Sequence, residues 1–236
     1  MIHDIKAIIL VGGLGTRLRS VVPSKPKVLA SIGERSFLDL LVQQLSEHGV
    51  RQLVMCTGYL ADQIESRFGD GTRWNVSIQY SKEEMLLGTA GALRLAQRYV
   101  ANIPEFLVLN GDSFLEINFQ ELVGFHREHR RAAATIAVVR VEDASRYGTV
   151  NVDSSDRIIG FAEKAGRNAP GLVNGGVYVF SQAVWHSIPE GPASLERDVF
   201  PQLIDQGVYA REQHGIFVDI GTPADYVRAQ ALLRQV

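Results

Sequence analysis

A glycine-rich segment directly after an apolar strand constrains the fold of this chain more than any other feature. Residues 5–11 are apolar almost throughout, which is typical of a strand buried on both faces of a sheet. The next segment reads G-G-L-G-T-R over residues 12–17, and its glycines let the backbone turn sharply and approach a ligand. Successive backbone N–H groups in such a turn bind anions, and Arg17 adds a planar cation suited to phosphate oxygens. The sequence therefore predicts a phosphate-binding loop at the end of the first strand.

Two common glycine-loop motifs do not fit this segment. A dinucleotide-binding G-x-G-x-x-G counted from Gly13 requires a third glycine where Leu18 stands. A P-loop requires G-K-[ST], whereas this loop ends Gly15-Thr16-Arg17. A nicotinamide-dependent oxidoreductase is accordingly a remote alternative.

The pattern along the chain indicates an α/β fold. Apolar, β-branched runs alternate with amphipathic stretches over the first half, which predicts βαβ units and a Rossmann-like, mostly parallel sheet flanked by helices. One of those helices is expected to start with Thr89 as its cap. From Gly148 the predicted strands become shorter and are separated by Gly, Asn, Asp and Pro. In such sheets ligands bind beyond the carboxyl ends of the strands, where the loop and Asp112 both fall.

Composition narrows the partners and the compartment. The net charge of -2 leaves no general basic field that would attract nucleic acid or an anionic membrane. An anionic ligand must therefore be bound by locally placed cations. The start lacks signal-peptide features, no apolar run approaches about 18 residues, and Cys56 has no second cysteine to pair with. We expect a cytoplasmic protein that binds neither nucleic acid nor a membrane.

Several residues suit phosphoryl or nucleotidyl transfer, which depends on positioning and charge neutralisation. Arg17 is predicted to bind the β- and γ-phosphates of a nucleotide, and Lys27 to meet the charge that develops near the α-phosphate. Asp112 and Asp219 each follow an apolar strand and are predicted to share Mg²⁺, which often takes only one or two carboxylates and phosphate oxygens.

Motifs along nearly the whole chain resemble those of the sugar-1-phosphate nucleotidyltransferases. The glycine loop with its downstream Pro-Lys resembles the family's G-G-x-G-T-R-L…P-K signature. Further resemblances occur in chain order: E…L-G-T-A-G-A-L over 83–93, L-N-G-D over 109–112, Y-G-T-V over 147–150, F-A-E-K over 161–164, V-N-G-G-V-Y over 173–178 and D-I-G-T-P over 219–223.

This resemblance implies roles for individual residues. The implied nucleotide contacts are Leu10, Gly12, Gly13, Gly15, Thr16, Arg17, Glu83, Gly88 and Thr89. The implied sugar-phosphate contacts are Gly148, Glu163, Lys164 and Asn174. Arg17, Lys27 and Asp112 would be catalytic, with Asp112 and Asp219 as the Mg²⁺ ligands. Glu83 would sit at the nucleobase, where a carboxylate can accept from guanine N1–H and its amine, so GTP is favoured.

The resemblance also implies an architecture: a single domain over 1–236, with a nucleotide half at 1–145, a sugar-phosphate half at 146–236, and no C-terminal β-helix. Departures from the family pattern occur at Val28, Leu86 and Ala165, where the family often has proline. None of these departures removes a charged group.

Residues 15–23 and the short length most resemble the D-glycero-α-D-manno-heptose 1-phosphate guanylyltransferases. The expected reaction is Mg²⁺-dependent attack of a sugar 1-phosphate on the α-phosphorus of an NTP, which releases pyrophosphate. Mannose, glucose or N-acetylmuramate 1-phosphate with GTP, CTP or UTP are alternatives, because a few loop contacts decide substrate choice. A catalytically silent nucleotide-sugar sensor is an alternative of another class. A homodimer contact through the apolar helix at 224–233 is a further expectation.

Overall fold

The computed structural model describes Ile2, residues 4–162 and residues 169–234. The strands are β1 Lys6–Leu10, β2 Ser31–Ile32, β3 Arg35–Ser36, β4 Gln52–Thr57, β5 Ser77–Lys82, β6 Glu105–Asn110, β7 Ser113–Leu115, β8 Ala134–Val141, β9 Thr149–Val152, β10 Ile158–Ala162, β11 Gly171–Ser181, β12 Val208–Gln213 and β13 Phe217–Asp219. The α-helices are α1 Phe37–Glu47, α2 Ala61–Phe68, α3 Gly88–Ala96, α4 Phe119–Glu128, α5 Phe200–Leu203 and α6 Pro223–Leu232.

The strands of the described residues form a nine-stranded central sheet that joins both halves of the chain. Its main path runs β10-β9-β11-β6-β1-β4-β5, with β8 beside β11 and β12 beside β8. The β6-β1-β4-β5 portion is parallel throughout, and β11 joins it antiparallel to β6. The prediction of a Rossmann-like, mostly parallel α/β sheet flanked by helices is confirmed, with antiparallel pairs where the later strands are added.

The sheet buries apolar side chains on both faces. In β1, Ala7 and Ile9 pack into one buried cluster and Ile8 into the other, because successive side chains of a strand point to opposite faces. Helix α1 covers the first face and helix α3 the second. Strand β1 thus lies between two apolar layers, which explains its continuous apolar sequence.

One helix start differs from the sequence-based expectation. Leu87 precedes the first residue of α3 and offers no side-chain cap, so the prediction of Thr89 as the cap is wrong. The Thr89 hydroxyl instead accepts a hydrogen bond from the backbone N–H of Leu195 at 2.8 Å. Leu195 begins a turn over Leu195–Val199 that Ser194 caps and that has π-helical winding before α5 begins. The departure at Thr89 thus occurs where α3 packs against this later turn.

Helix α6 has Thr222 as its cap and Pro223 in its first turn, where the missing N–H of proline costs no hydrogen bond. It exposes Val227 and Leu232 to solvent. The homodimer contact through this helix stays a prediction. Within the described residues, the helices all fall short of the length and apolar character that crossing a bilayer requires.

A buried histidine links helix α4 to the sheet. His126 is only 5% exposed, and its Nδ1 lies 2.8 Å from the Thr135 hydroxyl on β8. Burial, aided by the nearby charges of His129 and Arg127, lowers the pKa of His126 to about 4. The folded protein therefore resists protonation that the unfolded chain accepts near its ordinary pKa of 6.5.

This difference predicts that His126 weakens the fold in acid. Its contribution is complete above about pH 6.5 and declines as the pH falls towards 4, because only the unfolded state takes up a proton there. Between pH 7.5 and 4.5 the loss is expected to be about 2 to 3 kcal/mol. Denaturant unfolding at both pH values should show a smaller loss for His126→Asn, whose amide can still reach Thr135. The exposed His214→Asn is the matched control and should behave as wild type; equal losses in all three proteins would contradict the prediction.

Candidate active site

A cleft of about 510 Å³ opens at the carboxyl ends of β1, β4 and β6. It is lined by most of the residues that the sequence singles out: Leu10, Gly12, Gly13, Gly15, Thr16, Arg17, Lys27, Glu83, Gly88, Thr89, Asp112 and Asp219. A larger cleft of about 680 Å³ lies between α1, β7 and β12, and the predicted site residues that the structure describes do not line it. The chemistry-bearing side chains thus converge on the smaller cleft.

Close packing explains the glycines of the loop. Gly15 has a φ of 58°, in the left-handed region that disfavours side chains, and a Cβ there would lie 3.0 Å from the Cβ of Lys27. Gly13 similarly lies against the Lys27 stem. The short helical turn Thr16–Leu18 that follows carries Arg17, whose guanidinium lies near Gly221. Within the described ranges, the ion pairs do not include Arg17, so its charge is available to an anion.

Lys27 reaches across the cleft floor to the end of β6. Its ammonium group donates to the Asp112 carboxylate in an ion pair, with both side chains mostly shielded from solvent. The packing of the Lys27 stem on the glycine loop holds this cation in place. The geometry therefore fixes one cation between the glycine loop and a carboxylate.

The two predicted metal ligands are brought together by a small antiparallel ribbon. Ser113 of β7 pairs with Asp219 of β13, and the backbone N–H of Ile220 donates to the Asp112 carbonyl at 2.9 Å. Asp219 accepts a 2.6 Å hydrogen bond from the Gly221 N–H. Burial and the neighbouring Asp112 charge raise the pKa of Asp219 to about 6, although Gly221 and Lys27 oppose that rise.

This carboxylate pair fits a divalent cation that takes part of its shell from a ligand. A cation between the two carboxylates would offset the repulsion that helps to raise the pKa of Asp219. Groups of three or more His, Cys, Asp or Glu suited to a metal are absent from the part of the chain that the structure describes. A metal held by two carboxylates would complete its shell with water and phosphate oxygens, as Mg²⁺ commonly does.

Glu83 occupies the opposite end of the cleft. One carboxylate oxygen accepts from the Leu87 N–H at 3.1 Å. The other carboxylate oxygen lies against two glycines. A Cβ added to Gly12 would stand 2.8 Å from this oxygen, and a Cβ added to Gly58 would stand 2.5 Å from it. Burial raises the pKa of Glu83, and the Leu87 N–H opposes that rise. Both glycines are therefore required for this carboxylate to reach the cleft.

A polar network connects the cleft to β11. The Tyr178 hydroxyl lies 3.2 Å from Asn110 Nδ2 and 2.9 Å from Asn174 Nδ2, both of which donate to it. The pairing of β11 with β8 shifts register between Asn174 and Tyr178, at a bulge where Gly176 has a φ of 76°. A Cβ on Gly176 would lie 3.0 Å from the Cβ of Ser113. The bulge thus packs β11 against the ribbon of β7 and β13.

The structure brings the predicted sugar-phosphate residues together only in part. Asn174 reaches the cleft through Tyr178 and Asn110 rather than lining it. Gly148 is exposed at the start of β9, in a loop joined to α6 by an ion pair between Arg146 and Asp225. The remaining two predictions, Glu163 and Lys164, lie outside the described residues.

Sequence reasoning missed polar side chains in the cleft wall. Asn110 lines the cleft, and its Oδ1 is buried without a hydrogen-bond partner among the described residues. Glu196 also lines the cleft and accepts hydrogen bonds from Thr89 and Ser194. Asn110 is the second residue of the L-N-G-D motif and was within reach of a motif-based interpretation. Glu196 carried no local signal, because its partner Thr89 lies 107 residues away in the chain.

Comparison with known proteins gives a consistent family. The family model described as nucleotidyl transferase matches residues 6–236. A mannose-1-phosphate guanylyltransferase catalytic subunit beta from Drosophila pseudoobscura pseudoobscura is 37% identical over 96% of this chain and 62% of its own. The mannose-1-phosphate guanylyltransferase of Mycobacterium tuberculosis is 36% identical over 97% of this chain and 64% of its own. This chain therefore spans less than two thirds of the length of these relatives.

A solved structure extends the likeness over whole chains. HddC from Yersinia pseudotuberculosis, in complex with GMP-PN, superposes with a TM-score of 0.85 at 31% identity. The match covers 97% of this chain and 99% of HddC. The arrangement of sheet and helices is therefore that of a protein crystallised with a guanine nucleotide analogue.

Proposed function

The chain belongs to the nucleotidyl transferase family, and we propose that it transfers GMP from GTP to a sugar 1-phosphate, which yields a GDP-sugar and pyrophosphate. The observation that carries this proposal is the convergence of the glycine loop, Arg17, Lys27 and a carboxylate pair in one cleft. The GMP-PN complex of HddC and the guanylyltransferase names of the curated relatives support guanine as the base.

The residues of the glycine loop and its cations would bind the triphosphate. Backbone groups of Gly12, Gly13, Gly15 and Thr16 would approach the phosphates, with Leu10 at the strand end below them. Arg17 would balance the departing pyrophosphate, and Lys27 the charge that builds around the α-phosphorus. Mg²⁺ held by Asp112 and Asp219 would supply further neutralisation of the triphosphate when bound. The attacking phosphate oxygen is already an anion at neutral pH, so no general base is needed.

The base would lie at the Glu83 end of the cleft, between the phosphate loop and the start of α3. The Glu83 carboxylate would accept from guanine N1–H and the exocyclic amine, beside Gly88 and Thr89. Leu86 is about half exposed at the cleft edge and offers an apolar surface for the base.

The sugar 1-phosphate would occupy the side of the cleft towards β11. Gly148, Glu163 and Asn174 would bind its hydroxyls and Lys164 its phosphate, which makes 1–145 mainly the nucleotide half and 146–236 mainly the sugar half of one domain. The motif at residues 15–23 favours D-glycero-α-D-manno-heptose 1-phosphate. The names of the curated relatives favour mannose 1-phosphate as the second candidate.

Pyrophosphate release from purified protein with Mg²⁺ tests the proposal. GTP, CTP, UTP, ATP and dTTP are each combined with heptose, mannose, glucose and N-acetylmuramate 1-phosphates. The strongest release is expected with GTP and the heptose 1-phosphate. A maximum with mannose 1-phosphate would keep guanylyl transfer and change the sugar. No release in any combination, with nucleotide-sugar binding retained, would replace the proposal with a sensor.

Base selection can be tested at Glu83. Glu83→Gln replaces one carboxylate oxygen with an amide NH₂, a donor that would face the donor amine of guanine. The glutamine amide instead matches uracil, whose N3–H donates and whose carbonyl accepts. We expect kcat/KM for GTP to fall about 10- to 100-fold and the UTP to GTP ratio to rise. The neighbouring exposed Glu84→Gln should leave both values unchanged. An unchanged GTP to UTP ratio in Glu83→Gln would remove Glu83 from base recognition.

A further inference from the structure

One carboxylate in the cleft wall, that of Glu196, makes hydrogen bonds to the described residues through only one of its two oxygens. Glu196 Oε2 accepts from the Thr89 hydroxyl at 3.1 Å and from the Ser194 hydroxyl at 2.9 Å. Among the residues that the structure describes, neither a hydrogen bond nor an ion pair reaches its Oε1. Glu196 is therefore held by one oxygen, and its side chain lines the cleft.

The backbone that carries Glu196 is also unusual. Glu196 lies in the π-helical turn Leu195–Val199, and single turns of this kind occur frequently at functional sites. The turn is fastened to α3 by the Thr89 hydroxyl, which accepts from the Leu195 N–H. A Cβ on Gly88 would lie 2.5 Å from the Ala193 carbonyl oxygen, so the start of α3 and the segment before the π-helical turn are in direct contact. This packing positions Glu196 precisely relative to the cleft.

Charge decides which part of a ligand this carboxylate can face. The Arg17 and Lys27 side of the cleft suits phosphate, and a carboxylate beside phosphate would be repelled. An ionised carboxylate accepts hydrogen bonds and donates none, so its partner must carry donors. Hydroxyl groups of a neutral sugar ring meet both requirements.

The segment that carries Glu196 also packs against β11, the side of the cleft proposed for the sugar. The ring centroids of Phe200, four residues after Glu196, and Tyr178 on β11 lie 5.2 Å apart. The charge of Glu196 adds to the burial that raises the pKa of Tyr178. Tyr178 in turn contacts Asn110 and Asn174, and the Oδ1 of Asn110 is buried without a hydrogen-bond partner among the described residues. Glu196 therefore stands between Thr89 at the start of α3 and the polar network of β11.

We propose that Glu196 is a sugar-binding residue that accepts hydrogen bonds from hydroxyl groups of the sugar being transferred and so contributes to sugar specificity. This inference rests on the proposed function for the identity of the ligand. It adds to the resemblance-based sugar contacts a carboxylate from a different part of the chain.

Equilibrium binding tests it independently of turnover. Kd values for GDP, GDP-mannose and GDP-D-glycero-α-D-manno-heptose are measured by calorimetry with wild type, Glu196→Gln and the exposed control Glu190→Gln. For the GDP-sugar that wild type binds more tightly, Glu196→Gln should weaken binding about 10- to 100-fold while GDP changes less than about twofold. Glu190→Gln should match wild type for all ligands.

Equal weakening of GDP and the GDP-sugar would show that Glu196 only supports the fold around Thr89, and no weakening would also overturn the inference. The inference is also overturned if wild type binds neither GDP-sugar more tightly than GDP. If Glu196→Gln does not fold, GDP-sugars lacking single hydroxyls are measured with wild type. At least one should then bind about 10-fold more weakly or worse, and uniform affinity contradicts the inference. Wild type that shows the expected binding yet releases no pyrophosphate would refute the proposed function alone.

Discussion

Replacement of Lys27 with alanine is expected to lower kcat for guanylyl transfer by about 10³-fold. The Lys27 stem packs against Gly13 and Gly15, so its charge is held in place before substrate binds. A preorganised cation of this kind stabilises charge that develops in the transition state more than charge in the ground state. The effect should therefore appear mainly in kcat. Arg17→Ala should lower turnover by a comparable order and also weaken GTP binding, because Arg17 would contact the triphosphate throughout.

The matched control for this prediction is Lys25→Ala. Lys25 is exposed two residues before Lys27 on the same segment, and its removal should leave kcat and KM unchanged. The unfolding free energy of Lys27→Ala should fall by about 1 to 3 kcal/mol, because the mostly shielded Asp112 carboxylate is then left unpaired beside Asp219. Near-normal turnover in folded Lys27→Ala would refute the catalytic role of this residue.

The carboxylate pair is the second place where a single change should nearly abolish activity. Asp112→Asn and Asp219→Asn keep the shape of the side chain but remove the charge that a divalent cation requires. We expect each to lower Mg²⁺-dependent turnover by about 10²- to 10³-fold. Chelation of Mg²⁺ should abolish wild-type activity, and added Mg²⁺ should restore it. Calorimetric titration of a non-hydrolysable GTP analogue should lose its Mg²⁺ dependence in both variants.

The same substitution at Asp219 should make the ligand-free protein more stable at pH 7. The folded pKa of about 6 exceeds the ordinary 3.8, so keeping this carboxylate ionised opposes folding at pH values above about 6. Its replacement should therefore raise the unfolding free energy by about 1 to 3 kcal/mol. Asp205 is exposed, and Asp205→Asn is the control: it should change neither the Mg²⁺-dependent turnover nor the unfolding free energy. Full Mg²⁺-dependent activity in Asp219→Asn would exclude Asp219 as a ligand.

Local sequence determined the elements that depend on neighbours in the chain. The apolar run of β1 requires burial on both faces, and the glycines after it require a tight turn. The glycine loop and its position at the carboxyl end of β1 therefore followed from residues 5–17 alone. The Thr222 cap of α6 and the strand ends at Asp112 and Asp219 were equally readable. The resemblance to the family motifs added the expectation that these elements belong to one site.

Contacts between distant segments were decided only by the tertiary structure. Thr89 appeared to be a helix cap, but its hydroxyl bonds a turn that lies more than a hundred residues later in the chain. The π-helical winding that presents Glu196, and the bulge at Gly176 that joins Asn174 to Asn110 through Tyr178, depend on how β11 and α3 pack. A hydrogen bond within a turn is specified by residues next to each other, whereas these bonds form only after the sheet has brought its strands together. The glycine loop was therefore legible in the sequence, and the polar wall formed by Asn110, Glu196 and the β11 network was not.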